Sequence, residues 1–247
     1  MTTKIIGTGS YLPEHVVSND DLAKLVDTSD EWIASRTGIR NRRIATKESG
    51  ADMAAAAAEE ALKDAGMEGS EIDLILVATC SSDFQFPSTA CLVQKAIHAT
   101  NAAAFDLSAA CSGFLFALHT AHAYIRAGIY KNILLVGVEE LSKLIDWNDR
   151  STCVLFGDGA GAAVVTAADH GLEGFVQWSD GAGGEVLTCP GREMGNPWKE
   201  GDFPSGYIQM NGQEVFRFAV KKVPECIRQV AEKTGTQLET IDWFVLH

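Results

Sequence analysis

The sequence lacks an apolar run long enough to span a lipid bilayer, and its first residues, MTTKIIGTGSYLPE, do not have the pattern of a signal peptide. Positive charge is also scarce, because 20 lysines and arginines stand against 33 acidic residues and give a formal net charge of −13. This balance disfavours non-specific binding to nucleic acid. We therefore expect a soluble cytoplasmic protein that binds neither membranes nor nucleic acid.

Disulfide and metal motifs are missing as well, since the chain has no CxxC pair. The six cysteines are scattered through apolar segments: Cys80, Cys91, Cys111, Cys153, Cys189 and Cys226. Reduced thiols are therefore expected rather than disulfides. His119 and His122 have a spacing that can bind a metal on a helix, but no third ligand accompanies them, so no metal site is predicted. Gly7-x-Gly9 lacks the third glycine of a dinucleotide-binding fingerprint.

Apolar strand patterns alternate with helical patterns through the first two thirds of the chain, which predicts an α/β layered fold. The predicted strands are Lys4–Thr8, Leu74–Thr79, Ala102–Leu107, Asn132–Val138, Val154–Phe156 and Ala162–Thr166. The predicted helices are Asn19–Val26, Asp30–Arg36, Asp52–Ala65, Pro87–Ala99 and the segment between Cys111 and Gly128.

A later part of the sequence repeats an earlier part. A helix pattern followed by the strand pattern Ile72–Val77 is matched by the helix pattern Glu214–Lys233 followed by Ile241–Leu246. The offset from Ile72 to Ile241 is 169 residues. A match of this length can arise by chance; if it is a duplication, it divides the chain into a first half at 1–168 and a second half at 169–247. The second half is then incomplete, since roughly 90 residues of a full repeat would follow the last residue.

The segment Ala102–Gly128, AAAFDLSAACSGFLFALHTAHAYIRAG, carries the strongest functional signal. A buried strand is predicted before Cys111 and a buried helix after it, which places the cysteine at a strand-to-helix turn. The free N–H groups and the dipole at a helix N-terminus stabilise a thiolate and can bind an oxyanion. Cys111 is therefore a candidate nucleophile, and the alternative is a structural core cysteine.

Five stretches of the sequence carry a family resemblance. They are GTGSYLP (Gly7–Pro13), DTSDEWIASRTGIRNRRIA (Asp27–Ala45), FDLSAACSGF (Phe105–Phe114), FGDGAGAA (Phe156–Ala163) and WFVLH (Trp243–His247). Together they resemble the β-ketoacyl-acyl-carrier-protein synthase III family of condensing enzymes, within the thiolase-like fold. The resemblance implies a five-layered αβαβα core made of two duplicated halves, usually in a homodimer.

The resemblance also implies a decarboxylating Claisen condensation that initiates type II fatty-acid synthesis. Acetyl-CoA, or another short acyl-CoA, acylates the cysteine that corresponds to Cys111. Malonyl-acyl-carrier protein then loses carbon dioxide, and its carbanion attacks the thioester to give acetoacetyl-acyl-carrier protein. His247 corresponds to the family histidine that, with an asparagine, donates to the developing enolate oxygen. The CoA thioester is a substrate, and no permanently bound cofactor is implied.

Further positions are assigned by the same resemblance. Trp32, Arg36 and Arg150 match residues that hold the adenine end of CoA, where an indole and guanidinium groups stack on the base and pair with phosphate. Thr28 lies at the same entrance, and Phe86 matches a residue that closes the acyl pocket of the dimer partner. The remaining tunnel or pocket residues, which set the primer length, are Leu155, Phe156, Leu187, Ile208, Met210 and Phe216.

A basic stripe is predicted on the helix near the end of the chain. It consists of Arg217, Lys221, Lys222 and Arg228, three of which recur at helical spacing. In an acidic protein such a stripe could dock an acidic carrier protein by charge complementarity. The alternative is a solvated helix face.

The sequence departs from the family pattern at its end. There the family motif continues past the histidine as Gln-Ala-Asn, followed by the catalytic asparagine and a glycine-rich strand that supplies an oxyanion donor. We therefore expect a chain truncated just after His247. Two alternatives to the condensing enzyme stay open: a relative that joins other acyl or aromatic thioesters, and a fragment that is inert or is completed by a second chain.

Overall fold

The computed structural model describes residues 1–191, 198 and 206–247, in which strands and helices alternate before one long helix. The strands are β1 (Thr2–Tyr11), β2 (Val16–Ser18), β3 (Asn41–Arg43), β4 (Leu74–Ala78), β5 (Ala103–Leu107), β6 (Asn132–Glu140), β7 (Asp158–Ala168), β8 (Leu187–Thr188) and β9 (Gln209–Met210). The helices are α1 (Asn19–Leu22), α2 (Asp30–Thr37), α3 (Gly50–Ala65), α4 (Thr89–Ala96), α5 (Gly113–Arg126) and α6 (Gly212–Thr234).

Five strands lie side by side in the order β1-β7-β6-β4-β5 and form a mixed sheet. β4 pairs in parallel with β5 and β6, so that Ala78 lies opposite Leu107 and Gly137. β7 runs antiparallel to β1 and to β6. The carboxyl ends of β4, β5 and β6 therefore meet at one edge of the sheet, and the residues that follow these strands come together there.

Helices cover both faces of this sheet, which accounts for the uninterrupted apolar sequence of β4. Ile75 and Val77 pack with α3 and α4 in one buried cluster, whereas Leu74 and Leu76 pack with α5 in another. The alanine-rich α3 lies very close to the sheet, because a Cβ atom on Gly9 would come within 2.3 Å of a backbone oxygen of this helix. Small residues on both sides thus set the distance between helix and sheet.

A third apolar cluster lies where α1 and α2 pack against residues 141–156. Leu22 from α1, Ile33 from α2 and Val154 are buried in it. The first turn of α2 is capped by Ser29, whose hydroxyl accepts a hydrogen bond from the Trp32 N–H at 3.1 Å. This packing and capping anchor the helix that carries Trp32.

The long helix α6 is amphipathic, but much of its apolar face is exposed. Phe216, Phe218 and Val220 are each more than half exposed, whereas Ala231 is buried. The helix begins after Asn211, whose side chain accepts a hydrogen bond from the backbone of the first turn at 3.3 Å. The short strands β8 and β9 precede it as an antiparallel pair.

The α/β class is confirmed, and the predicted strands from Lys4–Thr8 to Asn132–Val138 and at Ala162–Thr166 correspond to β1, β4, β5, β6 and β7. The strand predicted at Val154–Phe156 is wrong. Its first residues belong to a turn, because the Asp149 carboxylate accepts hydrogen bonds from Ser151 and Thr152. The backbone N–H of Cys153 also donates to the carbonyl oxygen of Asp149. Such local side-chain bonds compete with strand pairing.

The strand predicted at Ile241–Leu246 is also wrong, since these residues have no regular structure and Val245 is 95% exposed. No strand in the described part of the chain lies beside them, so their backbone has no ladder to join. The strand before Cys111 and the helix after it are less buried than predicted. β5 is an edge strand in which Phe105 is 38% exposed, and α5 buries only one face and leaves Leu115 57% exposed. Among the described helices, none is both long and apolar enough to cross a membrane.

Candidate functional site

Cys111 lies at the carboxyl edge of the sheet, between β5 and α5. β5 ends at Leu107, a 3₁₀ turn covers Ala110–Ser112, and α5 starts at Gly113. The strand-to-helix turn predicted from the sequence is therefore confirmed. Cys111 is exposed, which excludes the alternative of a buried core cysteine. The residue lies at the start of α5 with an open approach for a substrate, and the N–H groups of Ser112 and Gly113 that follow it donate to the carbonyls of Ala109 and Ala110.

The turn that carries Cys111 is strained and closely packed. Ala110 has a left-handed φ of +45°, a conformation that costs on the order of 1 kcal/mol for a residue with a Cβ atom. The start of α5 packs on the end of β4, because a Cβ atom on Gly113 would lie 3.0 Å from that of Ala78. The Thr79 N–H donates to the Leu107 carbonyl at 3.2 Å. These contacts fix the backbone around the cysteine against two strand ends.

A carboxylate network, which the sequence analysis did not identify, borders the same edge of the sheet. Glu139, near the end of β6, accepts hydrogen bonds from the Cys80 N–H at 2.9 Å and from the Cys80 thiol at 3.2 Å. It also accepts one from the Ser81 hydroxyl at 2.5 Å. Partial burial and the nearby charge of Glu139 raise the pKa of the Cys80 thiol to about 12.

A second set of charges holds the loop that follows Cys80. The Lys143 ammonium lies 3.1 Å from Asp83 and 2.9 Å from Glu140. Asp83 also accepts a hydrogen bond from the Ala51 N–H at 2.9 Å, at the N-terminus of α3. Burial alone would raise the pKa of Asp83, but the hydrogen bonds and Lys143 together lower it below its usual value. The loop is thus tied to both the sheet and α3.

The structure brings together the predicted CoA-binding residues. The guanidinium carbon of Arg36 lies 4.6 Å from the centroid of the Trp32 ring, and that of Arg150 lies 5.2 Å from it. Arg150 is oriented by a 2.8 Å hydrogen bond to the carbonyl oxygen of Asp27. The Thr28 hydroxyl oxygen is buried and has no hydrogen-bond partner in the part of the chain that the structure describes. An aromatic ring, two cations and an unsatisfied hydroxyl therefore lie close to one another.

The predicted pocket residues fall into separate groups. Leu155 and Phe156 pack against the third apolar cluster, in which Ile208 is buried. Leu187 and Met210 lie opposite each other in the β8–β9 pair. Two aromatic residues remain outside these groups at the surface: Phe86 is 87% exposed and Phe216 is 65% exposed. The assignment of all these residues to an acyl pocket stays a prediction.

His247, the second predicted catalytic residue, is exposed at the end of the irregular segment 241–247. Within the described residues, no hydrogen bond joins it to Cys111. The structure therefore leaves the catalytic role of His247 as a prediction from the WFVLH motif.

The basic stripe of α6 is partly engaged within its own helix. Arg217 and Lys222 each form an ion pair with an acidic residue three positions away. The Lys222 ammonium also lies 4.4 Å from the centroid of the Trp178 ring. Lys221 and Arg228 are exposed. Carrier-protein docking by this stripe stays a prediction.

The two histidines of α5 both lie near the ring of Phe175. The ring of His119 stacks on Phe175 with centroids 4.0 Å apart, whereas His122 shares a 2.9 Å hydrogen bond with the Thr3 hydroxyl. Partial burial lowers the pKa of both imidazoles.

Comparisons with known proteins point to one enzyme family. The family model described as 3-oxoacyl-[acyl-carrier-protein (ACP)] synthase III matches residues 105–184, a range that contains Cys111. The chain is 52% identical over 248 residues to the β-ketoacyl-[acyl-carrier-protein] synthase III of Clostridium acetobutylicum, and the match covers 100% of this chain and 76% of that protein.

Solved structures of related enzymes also have the same fold as this chain. The 3-oxoacyl-[acyl-carrier-protein] synthase III of Aquifex aeolicus VF5 superposes with a TM-score of 0.88 at 48% identity, over 97% of this chain and 74% of that one. The priming β-ketosynthase of the R1128 polyketide biosynthetic pathway superposes with a TM-score of 0.88 at 36% identity, over 97% of this chain and 72% of that one. The thiolase-like α/β class predicted from the sequence is confirmed by these matches.

Proposed function

The chain belongs to the β-ketoacyl-[acyl-carrier-protein] synthase III family, whose members are condensing acyltransferases, and from this membership we propose its reaction. It joins acetyl-CoA, or another short acyl-CoA primer, to malonyl-acyl-carrier protein and releases carbon dioxide and CoA. The product is acetoacetyl-acyl-carrier protein when the primer is acetyl-CoA. This reaction initiates type II fatty-acid synthesis.

The first half-reaction is acyl transfer to Cys111. Its thiolate attacks the carbonyl carbon of the acyl-CoA, the bond from that carbon to the CoA sulfur breaks, and CoA leaves as its thiol after taking up the proton. The single observation that best supports this step is the exposed cysteine at the N-terminus of α5. There the sulfur is accessible to an acyl-CoA, and the helix dipole can stabilise the negative charge that develops on the substrate oxygen in the transition state.

The CoA end of the primer binds at Trp32, Arg36 and Arg150. The two guanidinium groups lie 4.6 and 5.2 Å from the indole centroid, a spacing at which cations and aromatic rings attract each other. A purine base can stack on this platform, and the arginines can pair with phosphate. Thr28 follows Asp27, whose carbonyl oxygen accepts the hydrogen bond from Arg150, so it lies at the same entrance. CoA thus acts as a substrate carrier, and the protein needs no resident cofactor.

The second half-reaction takes place at the acylated cysteine. Malonyl-acyl-carrier protein loses carbon dioxide, and the carbanion attacks the acyl carbonyl carbon and displaces the Cys111 sulfur. An imidazole N–H of His247 donates to the enolate oxygen that forms during decarboxylation. The exposed Lys221, together with Arg217 and Lys222, offers positive charge for an acidic carrier protein in a chain whose net charge is −13.

A homodimer in the cytoplasm is part of this proposal. β5 is an edge strand of the central sheet, and the nearby Phe86 side chain is 87% exposed. An open strand edge and an exposed aromatic residue are features that a second copy would cover. Light scattering after size-exclusion chromatography should give the mass of two chains; the mass of a single chain would refute this part of the proposal.

Product analysis tests the proposed reaction. Incubation with acetyl-CoA and malonyl-acyl-carrier protein should convert the carrier protein to its acetoacetyl form, as measured by mass spectrometry. Cys111→Ala should abolish this product, whereas Cys226→Ala, which removes a thiol from the middle of α6, should preserve it. Wild-type protein that makes no β-ketoacyl product would contradict the proposal.

A different primer is a second candidate, because the chain also resembles a priming β-ketosynthase of a polyketide pathway at 36% identity. A few methylene groups in a pocket wall shift primer choice by only about 1–3 kcal/mol, so the fold alone does not decide it. Competition among acetyl-, branched and aromatic acyl-CoA primers in one reaction would distinguish the two candidates by the mass of the product.

A further inference from the structure

Two thiols lie at one edge of the central sheet. β4 and β5 are parallel neighbours with Ala78 opposite Leu107, and Cys80 follows the first strand as Cys111 follows the second. The Thr79 backbone is bonded to Leu107, and the start of α5 packs directly on Ala78. Both cysteines are exposed. An acyl-CoA that reaches Cys111 therefore passes close to a second nucleophile.

The two thiols differ in what surrounds them. Cys111 sits at the N-terminus of α5, and no carboxylate in the described part of the chain is hydrogen-bonded to its thiol. Cys80 instead faces the Glu139 carboxylate, which accepts hydrogen bonds from its N–H and its S–H group at 2.9 and 3.2 Å. A carboxylate that accepts from the S–H group favours the protonated thiol and repels the thiolate. The same geometry therefore makes Cys80 a poor nucleophile.

Glu139 is itself held in place. Its second oxygen accepts the Ser81 hydroxyl at 2.5 Å, and that hydroxyl accepts from the Glu140 N–H at 2.8 Å. Three donors, the N–H and S–H groups of Cys80 and the hydroxyl of Ser81, thus converge on one carboxylate at the end of β6 and hold that carboxylate beside the thiol.

We propose that Glu139 is a positioning residue that keeps the Cys80 thiol protonated and bound, so that acyl transfer from acyl-CoA is confined to Cys111. The inference rests on the proposed function, because it assumes an acyl-CoA at this site. Without Glu139, the Cys80 sulfur would form a thioester with the acyl carbon, the bond from that carbon to the CoA sulfur would break, and the Cys80 proton would end on CoA. The enzyme would then carry an acyl group on a cysteine that is not placed for condensation.

Other groups that face Cys80 act in the same direction. A negative charge on Cys111 or on Cys189 would raise the pKa of Cys80 further, in addition to the effects of burial and of Glu139. Burial also raises the pKa of Cys189 itself. The carboxylate of Glu139 is the group that both touches the thiol and can be altered without removing a thiol.

Alkylation with iodoacetamide tests the inference without any acyl-CoA. In the wild-type protein, peptide mapping should find Cys111 alkylated at neutral pH and Cys80 unmodified up to about pH 10. Glu139→Gln removes the charge and should increase the rate of Cys80 alkylation at pH 8 at least tenfold, since each unit of pKa change alters the thiolate fraction about tenfold. Glu140→Gln is the matched control: it alters the adjacent carboxylate, which pairs with Lys143, and should leave Cys80 unreactive.

The buried Cys153 monitors folding in the same peptide map, because it becomes reactive only if the variant unfolds. A folded Glu139→Gln protein with unchanged Cys80 reactivity would overturn the inference, and so would wild-type Cys80 that reacts as fast as Cys111. Acetyl-CoA should add one acetyl group to the wild-type protein and a second, at Cys80, to Glu139→Gln. Failure of Cys111 itself to accept acetyl would count against the proposed function, whereas the alkylation result would still decide the inference.

Discussion

The guanidinium group of Arg42 donates a 2.6 Å hydrogen bond to the side-chain oxygen of Asn19 in the interior of the protein. The Asn19 amide nitrogen in turn donates to Asp30 at 2.9 Å, in the first turn of α2. One buried asparagine thus links a buried cation to the helix that carries Trp32. Burial lowers the pKa of Arg42, as expected for a charge withdrawn from water.

Asn19→Ala should therefore destabilise the fold. The substitution leaves the buried guanidinium without its shortest hydrogen bond and should lower the free energy of unfolding by about 2 kcal/mol. Urea unfolding followed by circular dichroism measures this loss. Asn101→Ala, at an exposed position, should change stability by less than about 0.5 kcal/mol. Equal effects of the two substitutions would contradict the role of Asn19.

Trp32→Ala should weaken the use of acyl-CoA without disabling Cys111. Loss of the ring on which two arginines stack should raise KM for acetyl-CoA by about 10- to 30-fold, which corresponds to roughly 1.4–2 kcal/mol. The control is a short acetyl thioester that lacks the adenine end, with which the variant and the wild-type protein should react equally. A parallel loss with both substrates would place the effect of Trp32 in the fold rather than in CoA binding.

Asp83→Asn should produce a pH-dependent loss of stability. The pKa of Asp83 is lower in the folded protein than in the unfolded chain. The charged carboxylate therefore stabilises the fold at any pH above the unfolded pKa of about 3.9, and this stabilisation is lost as the pH falls through the folded pKa. The substitution should cost about 1–2 kcal/mol at pH 7, where Lys143 and the N-terminus of α3 lose their partner, and this cost should shrink as the pH falls below about 3.9. Urea unfolding at several pH values measures the difference from the wild type.

The exposed Asp169 supplies the control, since Asp169→Asn should show no such trend. A constant difference between Asp83→Asn and the wild type at every pH would mean that the shape of the side chain matters rather than its charge.

The sequence predicted the features that depend on local pattern. An apolar run, small residues and a helical pattern follow one another in the chain and predict the strand-to-helix turn at Cys111. Trp32, Arg36 and Arg150 were grouped through the resemblance to a known family, and the structure brings them together. The burial predicted for β5 is too high, because an edge position cannot be deduced from a short, mostly apolar run.

Contacts between residues far apart in the sequence could not be predicted from local sequence patterns. The bond between Cys80 and Glu139 joins positions 59 residues apart, and it exists because β4 and β6 are aligned in parallel. No spacing rule connects these residues. The strand predicted at Val154–Phe156 is wrong because of a local interaction. The side chain of Asp149 accepts hydrogen bonds from residues two and three positions further along the chain, and these bonds form a turn.

The most direct test of the central claim is the intact mass of the protein after incubation with acetyl-CoA alone, compared between the wild type and Cys111→Ala. The account predicts a gain of one acetyl group in the wild-type protein and none in the variant, with peptide mapping placing the group on Cys111. A wild-type protein that gains no acetyl group, or a variant that gains it equally well, would contradict the claim that Cys111 is the acyl-accepting nucleophile.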